Sequence, residues 1–403
     1  LNKRFPRLRR ALVATALTLP VASSSFAQSI SATLPWTGTW STAPMITGDG
    51  GFNNQTIRQV VHTSIGGTAV GVQFSNQYGS DPLVIGDVHI ALRASGKRTV
   101  AGTDKAVTFS GQSFVTIPPG RVMMSDPVAF QVPALTDIVV SAYLPQQTPM
   151  ETTGHIEGLQ DVYIAPGDVS ADTEFTGGVV NALGAQSYYF LTDVVVQNAS
   201  TTGTVVAFGA SITDGIASSP NTNGRWPDLL AARLQQAGMT IGVLNQGISG
   251  NDFFTNGAGD AGLTRFQRDV LDQYNVKWVI ISDDAVNNLI GGSPPTAARL
   301  ESAFAQLTQS AHAAGVKVIC STLTPFEGVS SWTADIEATR AAVNAFVATS
   351  DSGCDAVLDQ AAALGDPANP PAMLGAYDSG DHLHPNQAGL QAIANSVNLG
   401  WFK

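Results

Sequence analysis

The stretch Val205-Val206-Ala207-Phe208-Gly209-Ala210-Ser211-Ile212-Thr213-Asp214-Gly215 decides the fold. Three apolar residues and Phe208 run into Gly209-Ala210-Ser211, and a helical pattern begins at Arg225, so Ser211 sits at the end of a buried strand. Open α/β sheets hold their chemistry at that position. A small residue on each side of a serine lets the chain turn sharply and lift the hydroxyl clear of its own backbone. A serine after a strand also serves as a helix N-cap, and the residues farther along the chain decide between the two roles.

Downstream, apolar runs at Thr204–Phe208, Ile241–Leu244, Trp278–Ile281, Val316–Ile319 and Ala356–Leu358 alternate with helical stretches at Trp226–Ala237, Leu263–Tyr274, Ala297–Ala314, Ala334–Ala348 and Gln387–Val397. Five strands alternating with helices predict a parallel sheet covered on both faces. Upstream, from Trp36 to about Val196, the pattern is strand-like. Runs at Thr56–Thr63, Val70–Asn76, Val107–Phe109, Val115–Ile117, Val128–Val132 and Ile138–Tyr143 are separated by Gly, Pro, Asn and Asp turns. Many short strands without a long helix predict an antiparallel sandwich of jelly-roll type. The short polar segment 198–203 is the expected boundary, giving a β-sandwich accessory domain over 28–200 and an α/β domain over 201–403.

Residues 1–27 are set apart from the fold. Lys3, Arg4, Arg7, Arg9 and Arg10 precede a short apolar run, and Ser25-Phe26-Ala27 offers a cleavage site, the pattern of a secretory signal peptide. The expectation is an exported protein, secreted or periplasmic, with no membrane span. Without that segment 15 basic residues face 31 acidic ones, a net charge of −16, which argues against nucleic acid as a partner. A hydrophobic fraction of 44% with only 13% charged residues argues for a packed core rather than disorder. Two cysteines, Cys320 and Cys354, each lie at a predicted strand edge; export permits a disulfide, and spacing alone leaves it open. No His and Cys cluster has metal-ligand spacing, so neither metal nor cofactor is expected.

Each predicted strand end carries chemistry. After the first comes Ser211; after the second comes Asn245-Gln246-Gly247-Ile248-Ser249-Gly250-Asn251, whose glycines let backbone N–H groups turn into a cleft. Beyond the third lie Ala285-Val286-Asn287-Asn288, and before the last helix Asp378-Ser379-Gly380-Asp381-His382-Leu383-His384-Pro385-Asn386. A serine hydroxyl needs a base, and His384 is the candidate, with Asp381 three residues earlier to bond its far nitrogen and hold one tautomer. His382 is a rival base at a different spacing from Asp381. An attacked ester develops an oxyanion, for which the Ser211 N–H, the Gly250 N–H and the Asn287 amide are candidate donors. His62, His89 and His155, upstream, read as strand or loop residues with local hydrogen bonds, and Tyr188-Tyr189 as core.

The four blocks F-G-A-S-I-T-D-G, N-Q-G-I-S-G-N, A-V-N-N and D-H-L-H-P, in this order over about the last 200 residues, resemble the SGNH or GDSL-type hydrolase superfamily. The resemblance implies a three-layer α/β/α sandwich with a five-stranded parallel sheet, Ser211 as nucleophile, Gly250 and Asn287 as oxyanion donors, and His384 as base with Asp381 as its partner. It implies esterase, lipase or carbohydrate deacetylase chemistry without a metal. The chain departs from the family pattern at Ala210, where Asp is usual, at Ala285, where Gly is usual, and at Asn288, where Asp is frequent. A Cβ at Ala285 would shift a donor or narrow the cleft, and Asp283 and Asp284 would set negative charge beside the oxyanion. T-W-S-T-A-P-M and F-N-N-Q-T-I-R-Q-V-V-H-T-S-I-G-G resemble the β-rich region that precedes such domains in some secreted two-domain carbohydrate esterases.

The expected activity is hydrolysis of carboxylic esters, with short acyl groups such as acetate on a saccharide or small molecule preferred. The alternatives are an acyltransferase to sugar hydroxyls and a degenerate hydrolase fold that binds carbohydrate. The sequence leaves oligomeric state open.

Overall fold

A computed structural model describes residues 35–180 and 186–403; the leader expected over residues 1–27 lies outside them. The strand Gly203–Gly209 is the second of five in a parallel sheet, flanked by Ile241–Gly247 on one side and by Val276–Ile281, Lys317–Ser321 and Ala356–Leu358 on the other. Gly209 pairs with Gly247, and Phe208 with Ile281. The chain leaves its first strand toward one edge and returns to build the other, so the crevice where strand order reverses opens at the carboxyl end of Gly203–Gly209. Ser211 stands there.

Alternation along these strands divides the core in two. Val206, Phe208, Val279, Ile281 and Val318 meet Phe304, Leu307 and Val343 on one face. Val205, Ala207, Ile280 and Ile319 meet Trp226, Leu230, Leu390 and Ile393 on the other. Each such side chain, removed from water, contributes about 1.5–3 kcal/mol. The covering helices run over Trp226–Gln236 and Gln387–Ser396 on one face and over Ala297–Ala313 and Ala334–Val347 on the other. Thr296, Thr333 and Asn386 cap three of them through side-chain oxygens. The stretch expected as one helix over Leu263–Tyr274 is instead an α-turn, Gly262–Phe266, followed by a π-turn, Gln267–Leu271. Cys320 and Cys354 are disulfide-bonded, with Cα atoms 5.8 Å apart.

The upstream half is built of antiparallel strands. One sheet runs Trp36–Ser41, Leu191–Gln197, Gly67–Ser75 and Val122–Met124, with Val128–Val132 also paired to Gly67–Ser75. Another has Thr136–Leu144 at its centre between Gln55–Thr63 and Asp87–Ser95, with Val162–Pro166 beyond Gln55–Thr63. Ile57, Val61, Val72, Phe74, Val140 and Val194 share one core, with Tyr188 and Tyr189 buried in it. Val107–Phe109, expected as a strand, forms no ladder. The Asp126 carboxylate takes the Thr108 hydroxyl and the N–H groups of Ser110 and Gly111, which turns the chain there. Asp87–Ser95 is not evident from pattern because its partly exposed positions carry Asp87, His89 and Arg93 among the apolar ones.

The described residues form one compact unit. The strand Trp36–Ser41 lies along the outer strand Ile241–Gly247 of the parallel sheet: the Val243 N–H donates to Ser64 Oγ, Gln246 Nε2 donates to Ser41 Oγ, and a Cβ on Gly242 would fall 2.0 Å from the Gly38 carbonyl oxygen. Among the described residues no helix is long and apolar enough to cross a membrane.

Candidate active site

Ser211 begins a single helical turn, Ser211–Asp214, straight off the strand end. Ala210, the residue before it, has no side chain able to cap that turn. Asp283, after the third strand, does so instead, its Oδ2 accepting from the Ile212 N–H and its Oδ1 from Thr213 Oγ1. A Cβ at Gly209 would lie 2.3 Å from both Asp283 Oδ1 and Thr213 Oγ1, so only glycine admits this cap. The charge expected to oppose an oxyanion is therefore committed to the helix N-terminus, where a carboxylate is favourable.

The last loop folds around two carboxylates. Asp381 Oδ1 accepts the N–H groups of Leu383 and His384, and its Oδ2 accepts from His384 Nδ1 at 2.6 Å. His384 Nε2 lies 2.8 Å from Ser211 Oγ. Partial burial alone would raise the Asp381 carboxyl, but the His384 N–H, its imidazole and the Leu383 N–H outweigh burial and hold it down at about 2. Asp381 thus stays ionised, and His384 presents its Nε2 lone pair to the hydroxyl. His382 is 54% exposed in the left-handed region at φ 63°, pairs with Asp378 instead, and makes no bond to Ser211.

The three candidate donors are each set by different local structure. Among the described residues neither the Ser211 nor the Gly250 N–H donates to any protein group. Gly250 takes φ +80°, which a side chain would resist. Asn287 Nδ2 donates one hydrogen to the Asn251 carbonyl at 2.7 Å, fixing the amide and leaving its second hydrogen uncommitted. Ala285 is wholly buried within the core on one face of the sheet, so its Cβ packs into that core rather than lining the cleft. Asn288 stitches the neighbouring loop: its Oδ1 accepts from the Phe253 N–H and its Nδ2 donates to Asp252.

Residues without a local signature organise these loops. Arg265 is 1% exposed and lies 4.1 Å over the Phe208 ring. Its guanidinium donates to Gly209 O, Gln246 O, Asn251 Oδ1, Asp269 and Asp284, binding the ends of three strands at once. Burial raises the Asp284 carboxyl to about 6; Arg265 pulls it down and the Asp283 charge adds to the rise. Asp284 is therefore held by Arg265 rather than facing an oxyanion. Only the Arg265/Asp269 spacing, one helical turn, hints at this in the sequence. His155, expected to bond locally, instead reaches Asp214 in the Ser211 helix, 59 residues away. His62 and His89 pair with Asp137 and Asp104 within the β-rich half.

Residues 207–392 match the model of the GDSL-like lipase/acylhydrolase family. No curated protein matches the chain. Among solved structures, a lipolytic G-D-S-L family protein of Desulfitobacterium hafniense is similar at 23% identity and a TM-score of 0.38, over 48% of this chain and 97% of that one. An acetyl xylan esterase is similar at 22% and 0.37, over 48% and 96%. A variant of an acetyl-xylooligosaccharide esterase from Geobacillus Stearmophilus is similar at 20% and 0.39, over 49% and 92%. The family match spans the Ser211 turn, the Gly250 and Asn287 loops and the His384 loop, so residues 207–392 are similar to a GDSL-like lipase/acylhydrolase domain and the chain is an ester hydrolase.

Proposed function

We propose that the chain is an exported serine esterase that hydrolyses short-chain carboxylic esters, with small acyl groups on saccharides or small alcohols as its substrates. The observation that carries this reading is the hydrogen-bonded line from Ser211 Oγ through His384 to Asp381. Ser211 Oγ attacks the ester carbonyl carbon while His384 Nε2 takes the hydroxyl proton. The carbonyl π electrons move to oxygen, where the Ser211 N–H, the Gly250 N–H and the Asn287 amide receive the developing charge. The tetrahedral adduct collapses, the C–O bond to the alcohol breaks, and the alcohol departs with the proton from His384. Water then attacks the acyl-Ser211, gives its proton to His384, and the acid leaves as Ser211 regains its hydrogen. Asp381 keeps Nδ1 protonated throughout.

Export rests on residues 1–27, and we read the β-rich half as a jelly-roll-like accessory domain.

The test is hydrolysis of p-nitrophenyl acetate and of a longer-chain p-nitrophenyl ester by the purified chain beside Ser211→Ala. The expected result is faster turnover of acetate and a loss of at least about 1,000-fold in kcat in the variant. Equal turnover by the variant, or none by either protein, refutes the reading.

A further inference from the structure

Asp214 closes the helical turn that Ser211 opens, and it is 1% exposed. Its Oδ2 accepts both the backbone N–H and the hydroxyl of Ser249, at 3.0 and 2.6 Å. Its Oδ1 faces His155 Nε2 at 3.0 Å. His155 ends the strand Thr152–His155 of the β-rich half, and its Nδ1 faces the Ala43 carbonyl at 2.8 Å. Both ring nitrogens therefore face acceptors. His155 thus links the Ala43 backbone to the Asp214 carboxylate.

This pair is almost wholly buried, each side chain 2% exposed, and takes no part in bond making. Its outlet is Ser249. The next residue is Gly250, whose N–H is a proposed oxyanion donor, and the one after is Asn251, whose carbonyl holds the Asn287 amide. The same turn is gripped a second time, where Ile248 packs against Ala43 and Met45 of the β-rich half. Donors to an oxyanion act only if their aim is fixed before the charge develops. Without His155, Asp214 Oδ1 is a buried acceptor left without its partner, and the carboxylate that holds Ser249 is no longer fixed from the other side.

We propose that His155 is a positioning residue for ester hydrolysis, acting through Asp214 on Ser249 to aim the Gly250 N–H at the oxyanion. The β-rich half thereby completes the reaction site without touching substrate. This inference rests on Ser211 being the nucleophile and the Gly250 N–H an oxyanion donor.

The experiment is a double-mutant cycle in the full chain with p-nitrophenyl acetate, using His155→Gln, Ser249→Ala and the pair together. Asp214 is the hydrogen-bond partner that His155 and Ser249 share. Each single variant is expected to lower kcat about tenfold with KM within about twofold, a loss confined to the transition state. The double variant is expected to be no slower than the slower single. A single variant with kcat within twofold of the parent, or a double variant in which the two factors multiply, overturns the proposal. If His155→Gln does not fold, Asp214→Asn carries the test: about tenfold lower kcat at unchanged KM supports the proposal, and unchanged kcat overturns it. An active Ser211→Ala would instead refute the esterase reading itself. An inert Ser211→Ala beside a fully active His155→Gln removes the positioning role alone.

Discussion

Replacing Arg265 by Met keeps much of the volume over the Phe208 ring and removes every charged bond that the guanidinium makes. Taking one partner from a buried ion pair costs about 3–5 kcal/mol. Here Asp284 loses its guanidinium, while Gly209 O and Gln246 O lose donors at the strand ends. We expect about 4 kcal/mol lost at pH 7. Part of this loss depends on pH, and its sign comes from Asp284. Its carboxyl is raised to about 6 in the folded chain, so in the parent it lowers stability progressively as pH rises from near 4 through 6. Without Arg265 the carboxyl rises further. At pH 7 the parent is ionised there and the variant holds a proton, a difference of at most one pKa unit, or about 1.4 kcal/mol. At pH 5 both are protonated and that part vanishes. Urea unfolding followed by circular dichroism should therefore give a loss near 4 kcal/mol at pH 7 and about 1 kcal/mol less at pH 5. A loss below about 1 kcal/mol at pH 7, or one that is equal or larger at pH 5, would refute the reasoning.

Asp381→Asn should lower kcat roughly 1,000-fold or more, since the imidazole loses the acceptor that fixes its tautomer, whereas His382→Ala should stay within about threefold. Steady-state rates on p-nitrophenyl acetate decide it, and the reverse pattern would make His382 the base. The Cys320–Cys354 bond closes a loop with a sequence separation of 34, worth about 4 kcal/mol in a chain-entropy account. Serine at both positions should lower the denaturation midpoint accordingly, and a loss below about 1 kcal/mol would show that the loop is as ordered without it.

The elements legible in the sequence are those whose signal is local. Five apolar runs between helical periods give the parallel sheet, and the serine, the Gly250 turn, Asn287 and the Asp381/His384 pair fall at its strand ends because βα connections are short. The features that pattern does not reveal depend on partners far along the chain. The Asp283 cap on the Ser211 turn joins residues 71 apart, and His155 and Asp214 meet across 59. Arg265 looks like one helix charge among several until the strand ends close over it. Asp87–Ser95 escapes because charged residues on its partly exposed positions break the apolar pattern, and Val107–Phe109 misleads because apolar residues fill the core there while Asp126 sets the backbone. The departures at Ala210 and Ala285 are understood only with their surroundings, one capped by Asp283 and the other packed in the core.

The meeting of Trp36–Ser41 with the outer strand of the parallel sheet limits how the chain can be divided. An outermost strand offers unpaired N–H and C=O groups to any other strand it meets. Here Ser64 Oγ takes the Val243 N–H, and the Gly38 backbone lies too close to Gly242 for any other residue at 242. The upstream half is a guard rail on that border. The catalytic half is consequently a poor candidate for cutting out or grafting onto another carrier: the covalent seam near residue 200 is easy to sever, but the face it would bare is built to adhere.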